Sequence, residues 1–174
     1  ANLDLSNGAA QWGGQYVPNI KSFYVDKNKA ANHYWFPPVL NVSLVPNLTN
    51  PLLKQVAVRK AISLAIDRTK VSQLGESGYQ KAANQTGVIL PTYSAWFDKS
   101  LPAVNYNQSA AIKTLESAGF KKGSDGIFAK GGQSLKFTIQ TISGYSDWDA
   151  SLQIITQELK AVGVSVSVQD ENSG

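Results

Sequence analysis

Leu135, Phe137, Ile139 and Thr141 alternate with Lys136, Thr138 and Gln140, and further along Val164, Val166 and Val168 alternate with Ser165 and Ser167. Between these runs Trp148, Leu152, Ile155, Leu159 and Val162 recur at helical spacing, and Gly163 follows the last of them. A period of two means a strand with one covered face, and a period near 3.6 means a helix with one apolar stripe. The stretch therefore predicts strand, helix and strand, with Ser146 or Asp147 as the helix cap. Two strands joined through a helix lie parallel with a right-handed crossover. The fold class is therefore α/β, or mixed α+β, with a β-α-β unit at its C-terminal end. In parallel sheets ligands lie beyond the carboxyl ends of the strands, at the loops leading into helices.

A second periodic signal lies upstream. Val58, Ala61, Ile62, Ala65 and Ile66 fall on one helical face, with Arg59, Lys60 and Ser63 off it, so a helix over 56–67 with Ile62 and Ile66 buried is expected. Thr49-Asn50-Pro51 signals a helical turn before it. Asp67 would cap a second, short helix running from Thr69 to Glu76 and ended by Gly78. Asn107 would cap a third over 108–118, with Ala111, Ile112, Leu115 and Ala118 as its stripe and Gly119 after its end. A small hairpin is expected within 121–132 between Asp125-Gly126 and Gly131-Gly132. Residues 1–20 show no period and read as irregular, 21–25 suits a short strand, and Val39–Val45 alternates as a strand should. His33-Tyr34-Trp35-Phe36-Pro37-Pro38 packs aromatic rings against two prolines and reads as a rigid extended turn. Residues 79–106 form a long connection without a period.

Composition narrows the chemistry. With no cysteine, thiol nucleophiles, thiolate metal sites and disulfides are excluded, and a single histidine, His33, cannot build a multi-histidine centre. The net charge is +4, yet of the basic residues only Arg59 and Arg68 are arginines, whereas phosphate and base recognition favours bidentate arginine. Nucleic acid is not an expected partner. No Walker loop, no Gly-x-Gly-x-x-Gly after a strand and no Gly-x-Ser-x-Gly elbow occurs, and no cofactor or metal is implied. No apolar run approaches the length of a membrane-spanning helix. The chain opens Ala-Asn-Leu, so it reads as a mature protein or a piece of a longer one.

One loop stands out by position. Ser143-Gly144-Tyr145-Ser146-Asp147-Trp148 joins the first strand of the β-α-β unit to its helix. Ser143, Tyr145, Ser146, Asp147 and Trp148 supply hydroxyls, a carboxylate and two amphipathic rings beside the free N–H groups of a helix start, a set suited to a polar small molecule. The same residues also read as an ordinary helix cap with Trp148 packed into the core. Two further readings stay open: a small carboxylate-dependent hydrolase using Asp147 and Asp149, and a surface adaptor that presents the aromatic-proline segment to another protein.

The segment Val58-Arg59-Lys60-Ala61-Ile62-Ser63-Leu64-Ala65-Ile66-Asp67-Arg68 resembles the Arg-x-Ala-Ile, two residues, Ala-Ile-Asp-Arg pattern of the oligopeptide-binding family (family 5) of ABC-transporter extracellular solute-binding proteins. Ordered matches follow: Tyr106-Asn107 to Ala118-Gly119-Phe120, Gly132-Gln133-Ser134-Leu135, and Leu159-Lys160-Ala161-Val162-Gly163-Val164. Gln15–Ile20, His33–Pro38 and Leu44–Thr49 are similar to an actinobacterial branch. The resemblance implies one lobe of a periplasmic-binding-protein type II-like fold, with 1–174 a single partial domain from the second lobe. It implies capture of a peptide or other small solute between two lobes, without bond chemistry, and delivery to an ABC permease. It also implies a location outside the cytoplasm, as a cell-surface lipoprotein or periplasmic protein. Family members take peptides, nickel, sugars or opines, so the resemblance does not name the ligand. It places the strand from Pro38 to Val45 at the cleft, making Trp35, Phe36, Ser43 and Val45 candidate lining residues beside the Ser143–Trp148 loop.

Overall fold

The computed structural model describes residues 2–171. The chain divides into two compact units, Ala1–Pro37 and Pro38–Gly174. The first unit holds α1 (Asn2–Asn7), α2 (Ile20–Phe23) and a 3-10 turn at Val25–Lys27. Leu5, Val17 and Ile20 are its buried residues. Residues 21–25 are thus not a strand. Asn19 adopts the left-handed conformation and its carbonyl accepts from Phe23 N at 3.0 Å, so the backbone closes a helical turn around the buried Ile20. So short an apolar run contains no full period by which to tell the two apart.

The second unit is built on the periodic segments. α3 (Val56–Ala65), α4 (Arg68–Lys70) and a π-helical turn (Val71–Gly75) come first. A 3-10 turn at Ser94–Trp96 and α5 (Gln108–Ser117) follow. β1 (Lys121–Lys122), β2 (Phe128–Lys130) and β3 (Gln133–Ser134) form an antiparallel sheet in the order β1-β2-β3. β4 (Lys136–Ile142), α6 (Ser146–Ala161) and β5 (Ser165–Glu171) complete the chain. β4 and β5 pair in parallel from Lys136↔Ser165 to Ile142↔Glu171, the expected β-α-β unit.

The caps read from the sequence form. Asp67 Oδ1 accepts from Thr69 N (3.0 Å) and Lys70 N (3.1 Å), and Asn107 Oδ1 accepts from Ala110 N (2.8 Å). These bonds satisfy donors that a helix start leaves unpaired. The core joins Val58, Ala61, Ala65 and Ile66 to Ala111 and Leu115 of α5, to Phe128 and Leu135, and to Ile155, Leu159, Val162 and Val164. Ile62 is only half-buried at its margin, because Val58, Ala61 and Ala65 occupy the centre of the α3 contact. Among the described residues one charged side chain is buried. Glu158 of α6 is 4% exposed, and its carboxylate accepts from Asp67 N at 2.9 Å and pairs with Lys70 Nζ at 3.7 Å. A single side chain thereby anchors the start of α4 to α6.

The two sheets share Leu135. Its N–H donates to Phe128 O (2.8 Å) in the antiparallel ladder, and its carbonyl accepts from Ser165 N (2.9 Å) at the head of the parallel pair. Phe128 N in turn donates to Gly163 O at 2.9 Å. Gly163 sits at φ +80, and a Cβ there would lie 2.7 Å from the Phe128 ring, so only glycine fits this crossing.

Residues 39–45 differ from the sequence expectation. They belong to no sheet, because none of the strands in the described residues lies alongside them. An alternating run becomes a strand only when a neighbour supplies the other half of its ladder.

Candidate functional site

β4 delivers the chain to the loop that precedes α6. Ser143 N donates to Glu171 O (3.0 Å) at the end of β5, so the loop leaves at the carboxyl edge of the parallel pair. Gly144 turns the chain at φ +96. Tyr145 takes the cap position with no side-chain cap bond, and its carbonyl accepts from Asp149 N at 3.0 Å. Ser146 and Asp147, the expected caps, lie inside the first turn instead. As the first two helical residues they are past the position whose side chain reaches the free N–H groups of the first turn, and Tyr145 occupies that position. The first N–H groups of α6 consequently keep no side-chain cap.

Tyr145 and Trp148, three apart on the helix start, stack with ring centroids at 4.5 Å and planes at 17°. Tyr145 is exposed and Trp148 half-buried, so the pair forms a flat aromatic surface and the buried stripe of α6 begins at Ser151 and Leu152. Ser143 is half-buried and Ser146 exposed beside it.

Glu76 is brought to the same helix end, a neighbour that nothing in the sequence announces. Gly75 makes the approach feasible: a Cβ there would lie 2.9 Å from Ser151 Cα. Ser151 Oγ donates to Glu76 Oε1 at 3.2 Å. Burial raises the Glu76 carboxyl above the ordinary 4.5, the Asp147 charge raises it further, and the Ser151 hydrogen bond opposes both. Among the described residues no lysine or arginine pairs with Glu76, Asp147 or Asp149. The uncapped N–H groups attract negative charge, but these carboxylates offset that field, leaving a site suited to neutral or cationic polar groups that can also lie against a ring. Asp147 and Asp149 are two positions apart on a helix and do not face each other, so they do not form a convergent acid/base pair. Among the described residues no group of three or more His, Asp or Glu side chains is placed to hold a metal ion.

The other candidate residues lie elsewhere. Trp35, in the first unit, packs against Trp12 (centroids 5.3 Å, planes at 57°), and Phe36 packs against Tyr34 (5.7 Å, 51°). Ser43 and Val45 are exposed in the second unit, in the unpaired run 38–46. Among the described residues no hydrogen bond or ring contact joins Ser43 or Val45 to Ser143–Trp148. A shallow apolar hollow lined by Gly87, Val88, Ile89, Tyr93 and Trp96 also escaped the sequence reading. Its residues sit in the long 79–106 connection, where no periodicity marks them.

Comparison with known proteins joins these observations. The "Probable ABC transporter-binding protein" of Deinococcus radiodurans is 30% identical over 132 residues, 75% of this chain and 22% of its own length. The oligopeptide-binding protein AppA of Bacillus subtilis is 30% identical over 125 residues, 71% of this chain and 23% of its own. The chain thus spans less than a quarter of the length of these two relatives. Among solved structures, a periplasmic oligopeptide-binding protein of Thermotoga maritima with bound mannohexaose superposes with a TM-score of 0.81 at 25% identity, over 98% of this chain and 33% of that one. The model for bacterial extracellular solute-binding proteins, family 5 (middle region), matches residues 1–174. The Arg59 to Arg68 pattern runs from α3 to the start of α4, and the match extends over every element described above, the parallel β-α-β unit included. The chain belongs to the family 5 bacterial extracellular solute-binding proteins.

Proposed function

We propose that residues 1–174 are part of the second lobe of a two-lobed protein that captures a peptide or similar small solute outside the cytoplasm for an ABC importer. Proteins of this family are typically transporter components without enzymatic activity. In the described residues no helix is long and apolar enough to cross a membrane. The observation that carries the reading is the exposed Tyr145–Trp148 stack at the uncapped start of α6, on the carboxyl side of the parallel strands. A ring face with hydroxyls at Ser143 and Ser146 and a carboxylate at Asp147 can orient a polar solute without transforming it. Trp35, Phe36, Ser43 and Val45 are proposed as further cleft-lining residues. Hinge closure of a facing lobe would complete burial of the ligand, and an ABC permease would receive it.

Relatives carry different cargo in their names, an oligopeptide in AppA and mannohexaose in the Thermotoga structure, so peptides and oligosaccharides are both to be screened. The test is calorimetric titration of the full-length protein with mixed peptide and oligosaccharide libraries. Tyr145→Ala and Trp148→Ala are expected to weaken the binding found by tenfold or more. Unchanged affinity in both variants removes this loop from the site. Half a cleft cannot bury most of a ligand, so the 174-residue chain alone is expected to bind nothing at micromolar concentration. Micromolar or tighter binding by this chain would overturn the two-lobe reading.

A further inference from the structure

Thr141 places a hydroxyl on the covered side of the parallel sheet. Phe137, Ile139 and Thr141 share one side of β4, and their register partners Val166, Val168 and Asp170 share it on β5. Phe137 and Val166 pack on the core that contains Ile155 and Leu159 of α6, so this is the side the helix covers. The row runs from apolar to polar along the strands and turns polar at their carboxyl end. Thr141 is only 8% exposed there. Among the described residues its hydroxyl has no hydrogen-bond partner, whereas the other buried polar side chains, Ser72, Ser151 and Glu158, are all bonded. No fully buried side-chain oxygen in the described residues lacks a partner, so the Thr141 hydroxyl must touch solvent through the opening that remains.

That opening lies at the start of α6. β4 rises about 13 Å from Phe137 to Thr141, and α6, running the opposite way, spans about 10 Å from Ile155 back to Trp148. Thr141 is thus level with the first turns of the helix, whose N–H groups keep no side-chain cap. Valine has the same shape and would continue the row without taking a hydroxyl out of bulk water. A buried hydroxyl without a partner, beside unpaired N–H groups, is a gap in hydrogen bonding that a ligand can close by displacing water. Asp170 stands across from Thr141 and Asp147 lies in the first turn of α6, so an anionic group is disfavoured. The fit is to a neutral group with an oxygen acceptor and a hydrogen donor, the chemistry shared by a peptide amide and a sugar hydroxyl. We infer that Thr141 is a specificity-determining residue whose hydroxyl hydrogen-bonds such a neutral group of the solute lying against the Tyr145–Trp148 stack. The inference rests on the solute-capture reading and adds a contact to it.

Affinity and thermal stability of the full-length protein test it together, with mixed peptide and oligosaccharide libraries as the probes. Thr141→Val keeps the shape and removes the hydroxyl. Expected is a loss of affinity of about tenfold or more for whichever library binds, with Tm unchanged or raised, because no bond within the fold is lost. Thr141→Ser keeps the hydroxyl and should bind within about threefold of the unsubstituted protein. Thr138→Val, on the exposed side of β4 where the Thr138 hydroxyl meets Ser167 Oγ at 3.1 Å, should leave affinity unchanged. Unchanged affinity in Thr141→Val, an equal loss in Thr138→Val, or no recovery in Thr141→Ser would overturn the inference. A clear fall in Tm for Thr141→Val would overturn it as well, by showing that the hydroxyl is bonded within the fold. If the unsubstituted protein binds neither library, solute capture itself is refuted and the contact falls with it. The library that binds tells whether the partner is an amide or a sugar hydroxyl.

Discussion

Replacing Glu158 with alanine should destabilise the second unit more than any exposed charge change, because it strands the Asp67 N–H inside the fold. Two interactions are lost: the 2.9 Å bond from Asp67 N and the 3.7 Å pairing with Lys70, whose side chain is 44% exposed. A hydrogen bond to a charged acceptor contributes about 1.5–3 kcal/mol, and an orphaned buried donor costs about as much as the bond was worth. The ion pair, long and half in water, adds at most about 0.5 kcal/mol. The sum for Glu158→Ala is therefore about 2–4 kcal/mol. Glu158→Gln keeps a carbonyl oxygen for Asp67 N and should cost only about 1 kcal/mol. Urea denaturation read by circular dichroism is the assay. With a slope near 2 kcal/mol per molar, the alanine variant should lower the midpoint by about 1–2 M and the glutamine variant by about 0.5 M. Equal losses in the two variants would refute the acceptor role and put the energy in charge. A loss under about 0.5 kcal/mol for alanine would refute the anchoring of α4 altogether.

Glu76 makes stability pH-dependent. Its folded-state pKa is raised by burial and then by Asp147, so its stabilising contribution is full below 4.5 and is lost as pH rises through the raised value. Glu76→Gln should therefore raise Tm at neutral pH and leave it nearly unchanged at pH 4; the opposite order in thermal melts would contradict the burial of this carboxyl. Gly163→Ala combines a positive φ with overlap onto the Phe128 ring and should cost about 2–4 kcal/mol, whereas Gly126→Ala, at φ +78 with open space around it, should cost only about 1–2 kcal/mol. Denaturant melts giving equal values would refute the close approach. Leu115→Ala, at a fully buried position, should cost about 2–5 kcal/mol and the half-buried Ile62→Ala about 1–2 kcal/mol by the same measurement.

What could be read in advance follows physical range along the chain. α5 was legible because every signal is local: Asn107 at its start, the stripe through Ala111 and Leu115, and Gly119 with its positive φ beyond its end. The β-α-β unit was legible because each segment completes several periods. Ile20–Phe23 was not, since four residues fit a strand or a turn equally and the deciding contact is the burial of Ile20. At the candidate site the loop was found from position and composition, but Glu76 was invisible there. Its partner Ser151 lies 75 residues away, and only the packing of Gly75 on α6 brings them together. Glu158 was hidden for the same reason, its bond to Asp67 N spanning 91 residues. In 39–45 the alternation suggested a strand that the structure does not form, because whether a neighbouring strand lies alongside is a property no local pattern encodes.

The double engagement of Leu135 has a consequence for how the gene can change in length. Because its N–H belongs to one ladder and its carbonyl to the other, inserting or deleting one codon between Ser134 and Lys136 would slip both registers at once. Every side chain of β4 would then exchange faces, turning Phe137 and Ile139 outward and Lys136 and Thr138 inward. The turn at 123–126 and the glycine pair Gly131-Gly132 lie outside that junction. Natural length variation among homologues should therefore collect in those two turns and be absent at 134–136. An insertion scan that found 134–136 as tolerant as the turns would show that the two sheets are not locked together.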